Sequence, residues 1–552
     1  MKTAADNFKA AAQNVIRIIN KLAGNDNTLN VTLDNVNIDV SSRQSTNAAL
    51  SVEGVGDTKI MLEGKNTLTS GNQCAGLEHN GKDYYGNNNG KLTITSKKDE
   101  AGKDTGSLTA TGGGGSAGIG SGWFGTYYGA GTIEITGGDI KATGASDAAG
   151  IGSGSEATSD THIIINGTAK VDAQATQNGA GIGSGHNSTG NTTIDIGGDA
   201  IVKAQGGSDA AGIGSGDGST GTTTINISGG TIVEAVGGTN GDGIGGSSSN
   251  RNNPTTVTIS GGTIQKAQGG QGHGSYDGGS GIHSDGDLTI SGNAHIVSAT
   301  GGNGISSGST LTIQNATITN ATGGSGWRGG HGIFGSVMKI LSGTIGTAQG
   351  GVGKTSGGDG ISGVNELTIT KATITKATGG NADNGTGGSG IYSDGKLTID
   401  SATIMNATGG TSTNGTGGNG ICGDGSSDDF KLYIYSATIE NATGGSGKWG
   451  GSGILGKTME ILTSTIKKAI GGRSTGEESY HTGGAGISSY GGLTIKGGTT
   501  AAPVAAASVA EATAAAAASP SPAAPSAPPA AAARAAARAL PAAAPSPSPT
   551  AR

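Results

Sequence analysis

Three carboxylates and a handful of aromatic rings carry most of the chemistry open to this sequence. Asp285, Asp394 and Asp424 each follow the isoleucine of a repeated Gly-Ile motif by three residues. If successive motifs stack, Asp394 and Asp424 lie about 5 Å apart, where like charges repel unless a cation sits between them. Calcium is one reading. The other is a solvated ladder partly neutralised by Lys457, which holds the same offset in the next copy. The aromatics are scarce, at 3% of the chain. Trp123, Phe124, Tyr127 and Tyr128 cluster in GSGWFGTYYG, Trp327 sits in GGSGWRGGHG, and Trp449 in GGSGKWGGSG. Flat rings beside polar groups hold sugars by stacking and hydrogen bonding. The same rings could instead anchor loops over a core. Catalysis has weaker support. There is no zinc-binding histidine motif, and Gly-x-Gly patterns mean nothing against 113 glycines. The segment that differs most from its neighbours holds Arg328 and His331 beside Trp327.

These residues need a scaffold, and the repeat supplies it. The x-Gly-Ile motif places isoleucine at 119, 151, 182, 213, 244, 282, 305, 333, 361, 391, 421, 454 and 487, with looser copies at Leu50 and Leu77. Most spacings fall near 30 residues, but one is 38 and the next is 23. Between copies runs a stricter pattern, LTIDSATIMNATGG at 397–410 and LYIYSATIENATGG at 432–445. Apolar and polar residues alternate in short runs, about three per unit, which marks strands buried on one face. Gly, Asn, Asp and Ser separate the runs as corners. The pattern predicts an all-β, right-handed parallel β-helix of about 13–15 coils over residues 29–498. A narrow core of Ile, Val, Leu and Ala needs few aromatics, which accounts for the composition.

The ends read differently. Residues 1–28 are predicted to form a short amphipathic capping helix, because Phe8, Val15, Ile18, Ile19 and Leu22 are spaced along one helical face. Nothing there has the form of a signal peptide. Residues 499–552 form an Ala/Pro/Ser-rich tail holding ten of the 11 prolines and no glycine, and disorder is expected there. The tail carries Glu511 against Arg534, Arg538 and Arg552, so residues 1–500 hold a net charge of −9. That sign gives no reason to expect a nucleic-acid partner. No apolar run is long enough to span a membrane, and two cysteines, Cys74 and Cys422, make no disulfide framework.

The Ala-Gly-Ile-Gly-Ser-Gly copies at 117–122, 149–154, 180–185 and 211–216, with T-I-x-I-x-G-G-x-I-x-A-x-G-G between them, resemble the bacterial carbohydrate-binding-domain-containing β-helix proteins of the cell surface. The resemblance spans roughly residues 30–498. It implies an extracellular or cell-surface β-helix that binds plant cell-wall or acidic polysaccharide, sometimes with calcium. The expectation is a non-catalytic polysaccharide binder, requiring no cofactor, with Trp123, Tyr127, Tyr128, Trp327 and Trp449 as sugar platforms. The alternatives are a structural stalk or adhesin and a polysaccharide lyase or hydrolase.

Overall fold

The computed structural model of the chain describes residues 14–22, 27–42, 46–83, 85–123, 128–247, 254–272, 278–423, 431–478 and 481–500. Residues 1–13 of the predicted capping helix, Tyr127, Asp424 and the tail from 501 onward lie outside them.

Alternating residues make strands, and the strands make a parallel β-solenoid. A typical turn contributes three of them: Ile151–Gly152, Thr161–Ile165 and Lys170–Ala175. Each pairs in parallel with its counterpart one turn on, as Ile163 does with Ile194 and Val171 with Val202. Inward residues are buried and their neighbours are partly exposed, the period of two that the sequence shows. The motif isoleucines form one unbroken column of sixteen residues, from Ile16 through Leu50, Leu77 and Ile119 to Ile487, which makes about fifteen turns. A second column runs from Ile60 and Ile94 to Ile434 and Ile461 with the same regularity. Almost every member is fully buried. Each such isoleucine contributes on the order of 1.5–3 kcal/mol through apolar burial.

The described residues contain no helix. The predicted cap is corrected at Ile16–Ile19, a strand that pairs in register with Leu50–Glu53 and supplies the first rung. Both readings fit the apolar spacing. The strand wins because Ile18 can then enter the core and Arg17 can form a two-pronged ion pair with Glu53, at 2.8 and 2.5 Å.

The corner beside the isoleucine column comes in two forms. From Ile119 to Ile244, the residue after isoleucine is glycine with φ between +136° and +146°. A Cβ on Gly183 would come within 1.8 Å of Gly214 O, so no other residue fits. In these turns the backbone N–H two residues before isoleucine closes on the carbonyl two residues after it, as in Ala180 N–H to Ser184 O at 3.0 Å. From Ile282 onward, His283, Ser306, Phe334, Ser362, Tyr392, Cys422, Leu455 and Ser488 replace that glycine in extended strand. The freed N–H is then taken by a side chain from the preceding turn: Asn303 Oδ1 accepts from His331 at 2.8 Å, Asp359 Oδ1 from Ser389 at 2.6 Å, and Asn419 Oδ1 from Ser452 at 2.7 Å.

Candidate functional site

The irregular spacing of 38 and then 23 residues builds a cleft. Most turns carry a loop before the isoleucine column. The strand Ala267–Gln268 and the strand beginning at Ile282 are far apart in sequence, and residues 324–332 precede Ile333, but only 302–304 connect His295–Gly301 to Ile305. The short connection leaves a notch between two longer ones. Its floor is Gly301 and Gly302, and its volume is about 600 Å³. Glycine is required in the floor: a Cβ on Gly302 would come 2.0 Å from Gly278 O. Gln268, Gln271, Thr300 and Thr322 line the cleft with amide and hydroxyl groups. Trp327 and Arg328 stand on its wall, and Trp327 is 68% exposed. An indole that open, against amides and a guanidinium, can stack on a ring and bond its substituents. Among the described residues of the lining there is no Asp, Glu, His or Cys.

Trp327 lies on the short strand Gly326–Arg328, which pairs with Gly353–Ser356 outside the main sheets. The lateral pairing continues through later turns. Arg328 faces Ser356, Ser356 faces Thr386, and Thr416 faces Trp449. Thr386 and Thr416 are bridged by Gly387 N–H to Thr416 O at 2.9 Å and Thr416 N–H to Gly385 O at 3.1 Å. The two tryptophans therefore share one lateral ladder, four turns and about 19 Å apart at the usual strand spacing. They are not equivalent in it. Trp449 continues the column of Arg328, one residue from that of Trp327, and packs edge-on against His481 with centroids 4.6 Å apart. It is 39% exposed.

The other aromatic candidates are more covered. Trp123 is half-buried over Gly115, where an added Cβ would touch the indole at 2.9 Å. Tyr128 is half-buried with Lys82 Nζ 5.9 Å from its ring centroid. His331 does not join Trp327. Its Nδ1 accepts the Asp359 N–H at 3.0 Å and its ring stacks on Phe334, so it belongs to the corner ladder.

The described carboxylate candidates lie in separate turns. Asp394 Oδ1 accepts from the Tyr392 hydroxyl at 3.3 Å, and the strands on either side stay in register through Ser393 and Gly423. Asp285 lies four turns earlier. Its Oδ1 faces His283 Nε2 at 3.2 Å and its Oδ2 accepts the Thr255 N–H at 3.2 Å. No group of three or more His, Cys, Asp or Glu side chains converges on a metal position among the described residues.

Two titratable groups have no counterpart among the sequence candidates. Asp242 is buried at the change of corner form, and burial pushes its carboxyl up to about 6, against the pull of His283 and two backbone N–H groups. Glu78 lines a second pocket of about 280 Å³ with Arg17, Glu53, Cys74 and Asn80. Burial pushes its carboxyl up to about 7, although it accepts the Ala75 N–H at 3.0 Å. Burial likewise raises the Cys74 thiol, which makes it a poor nucleophile. No protein-family model, curated protein or solved structure matches the chain.

Proposed function

We propose that the protein is a non-catalytic polysaccharide-binding β-solenoid whose ligand enters the Trp327 cleft and runs along the lateral ladder toward Trp449. The cleft carries this reading: an indole exposed by two thirds beside Arg328, over a glycine floor edged by amides and hydroxyls. Ser356, Thr386 and Thr416 supply hydroxyls between the two aromatic ends. Arg328 suits an acidic sugar, because its planar fork pairs with carboxylates. Right-handed winding and a place on the cell surface or outside it belong to the same reading.

The test is co-sedimentation with insoluble cellulose and retardation in gels containing polygalacturonate, with and without chelator. Retention that falls in Trp327→Ala supports the reading, and no retention on either polymer overturns it. A stalk or adhesin is the second reading. The near-identical turns leading to Ile391 and Ile421 favour it, since a spacer needs length more than a distinctive turn. It predicts attachment to cells without affinity for either polymer.

A further inference from the structure

The residue two after the motif isoleucine is serine in eight of the thirteen copies (Ser121, Ser153, Ser184, Ser215, Ser284, Ser307, Ser393 and Ser489) and glycine in five (Gly246, Gly335, Gly363, Gly423 and Gly456); Gly246 is the one that interrupts the run from Ser121 to Ser307. In the earlier turns this serine accepts a glycine N–H from the next turn, as Ser153 Oγ does from Gly185 at 2.9 Å and Ser184 Oγ from Gly216 at 2.9 Å. At Gly246 the hydroxymethyl group is missing and the pattern fails. Ser215 Oγ and Thr255 Oγ1 are fully buried there and make no hydrogen bond.

Both hydroxyls face the place the missing side chain would take. A Cβ on Gly246 would meet Thr255 Oγ1 at 3.2 Å, Ser215 Oγ at 3.4 Å and Asp285 Oδ2 at 3.9 Å. Asp242 closes the same corner, with Oδ2 accepting the Gly246 N–H at 2.8 Å and Oδ1 the Ser280 N–H at 2.6 Å. The donors are all oxygen, two of them carboxylates, and two buried hydroxyls lack partners.

We propose that Asp242, Asp285, Ser215 and Thr255 hold a calcium ion at the position of the serine side chain that Gly246 lacks. An all-oxygen set with irregular spacing suits calcium, which tolerates variable geometry, better than magnesium. A water molecule would satisfy the hydroxyls alone, whereas a cation would also engage Asp285 Oδ2, which faces the same position. His283 holds Asp285 through its other oxygen, leaving Oδ2 turned to the site. The inference stands apart from the glycan reading and survives its failure.

Calcium titration of the full chain by calorimetry, with thermal melting in chelator and in calcium, tests it. One ion per chain is expected at this site, together with a saturable rise in Tm. Gly246→Ser supplies the missing hydroxymethyl group at a backbone position without positive φ, and its melting in chelator checks that the variant keeps its fold. It should lose that ion and its share of the Tm response, as should Asp285→Asn. Wild-type melting indifferent to calcium, or Gly246→Ser binding as many ions as wild type, overturns the proposal. Indifference together with unaltered folding leaves water as the occupant.

Discussion

Asp242 accepts the backbone N–H of Ser280, one turn on, at 2.6 Å. That bond marks the change of corner form. Before it, the N–H at this position closes on a carbonyl of its own turn, and after it a side chain of the preceding turn takes over. Substitution costs should follow the change. Gly183→Ala forces an alanine to φ +142° with its Cβ 1.8 Å from a carbonyl oxygen, so a loss of more than about 2 kcal/mol is expected. Gly246→Ala meets nothing closer than 3.2 Å and should cost less than about 1 kcal/mol. Urea unfolding of both variants in chelator measures the difference.

Inward and outward positions of one strand should differ as sharply. Ile196 is 1% exposed, and Ile196→Ala is expected to cost about 2–5 kcal/mol. Its neighbour Asp195 points outward and pairs with His162 at 2.6 Å, both side chains being 38% exposed. Asp195→Ala should cost less than about 1 kcal/mol. Hydrogen exchange in Thr192–Ile196 and the two adjoining turns reads both effects.

On the lateral ladder the two tryptophans should contribute unequally. Trp327→Ala is expected to weaken polysaccharide retention about tenfold, equivalent to about 1.4 kcal/mol. Trp449 is already packed on His481, so Trp449→Ala should have the smaller effect. Equal losses would mean that the platforms act alike. Affinity electrophoresis of the single and double variants distinguishes the cases.

The pocket of Glu78 makes the first turns sensitive to pH. The unfolded chain releases this proton near 4.5, while the folded chain keeps it to about 7. Between those values the folded state binds more protons, so stability falls as pH rises. The contribution is complete below pH 4.5 and lost above 7, and it amounts to at most about 3 kcal/mol. Glu78→Gln should flatten the dependence. The Ala75 amide, which donates to Glu78, reports it through hydrogen exchange across pH 5–8.

What could be read from the sequence was whatever obeys a period. The inward isoleucines and the glycine corners repeat, so the stacking of turns follows from spacing alone. The strand Ile16–Ile19 is not legible in the sequence because Val15, Ile18, Ile19 and Leu22 suit a helical face as well as a strand, and only the partner strand Leu50–Glu53 decides between them. The 23-residue unit was visible, but a short loop becomes a cleft only through the longer loops on either side. Gly246 looked like one glycine among many. Its meaning depends on the serine column, which appears only once the register is known. Trp327 and Trp449 stand out in the sequence by their glycine-rich surroundings, but their one-residue offset depends on lateral pairings that no periodicity encodes.

The lateral ladder also works as a ruler with whole-number graduations. The unit from Ile391 to Ile421 closely matches its neighbour, so duplication or loss of one copy leaves both junctions intact. Such an event would move Trp449 relative to Trp327 by one strand spacing, about 4.8 Å, and disturb neither residue's surroundings. The span between the two rings is thus set in discrete steps, and it would change by recombination rather than by point substitution.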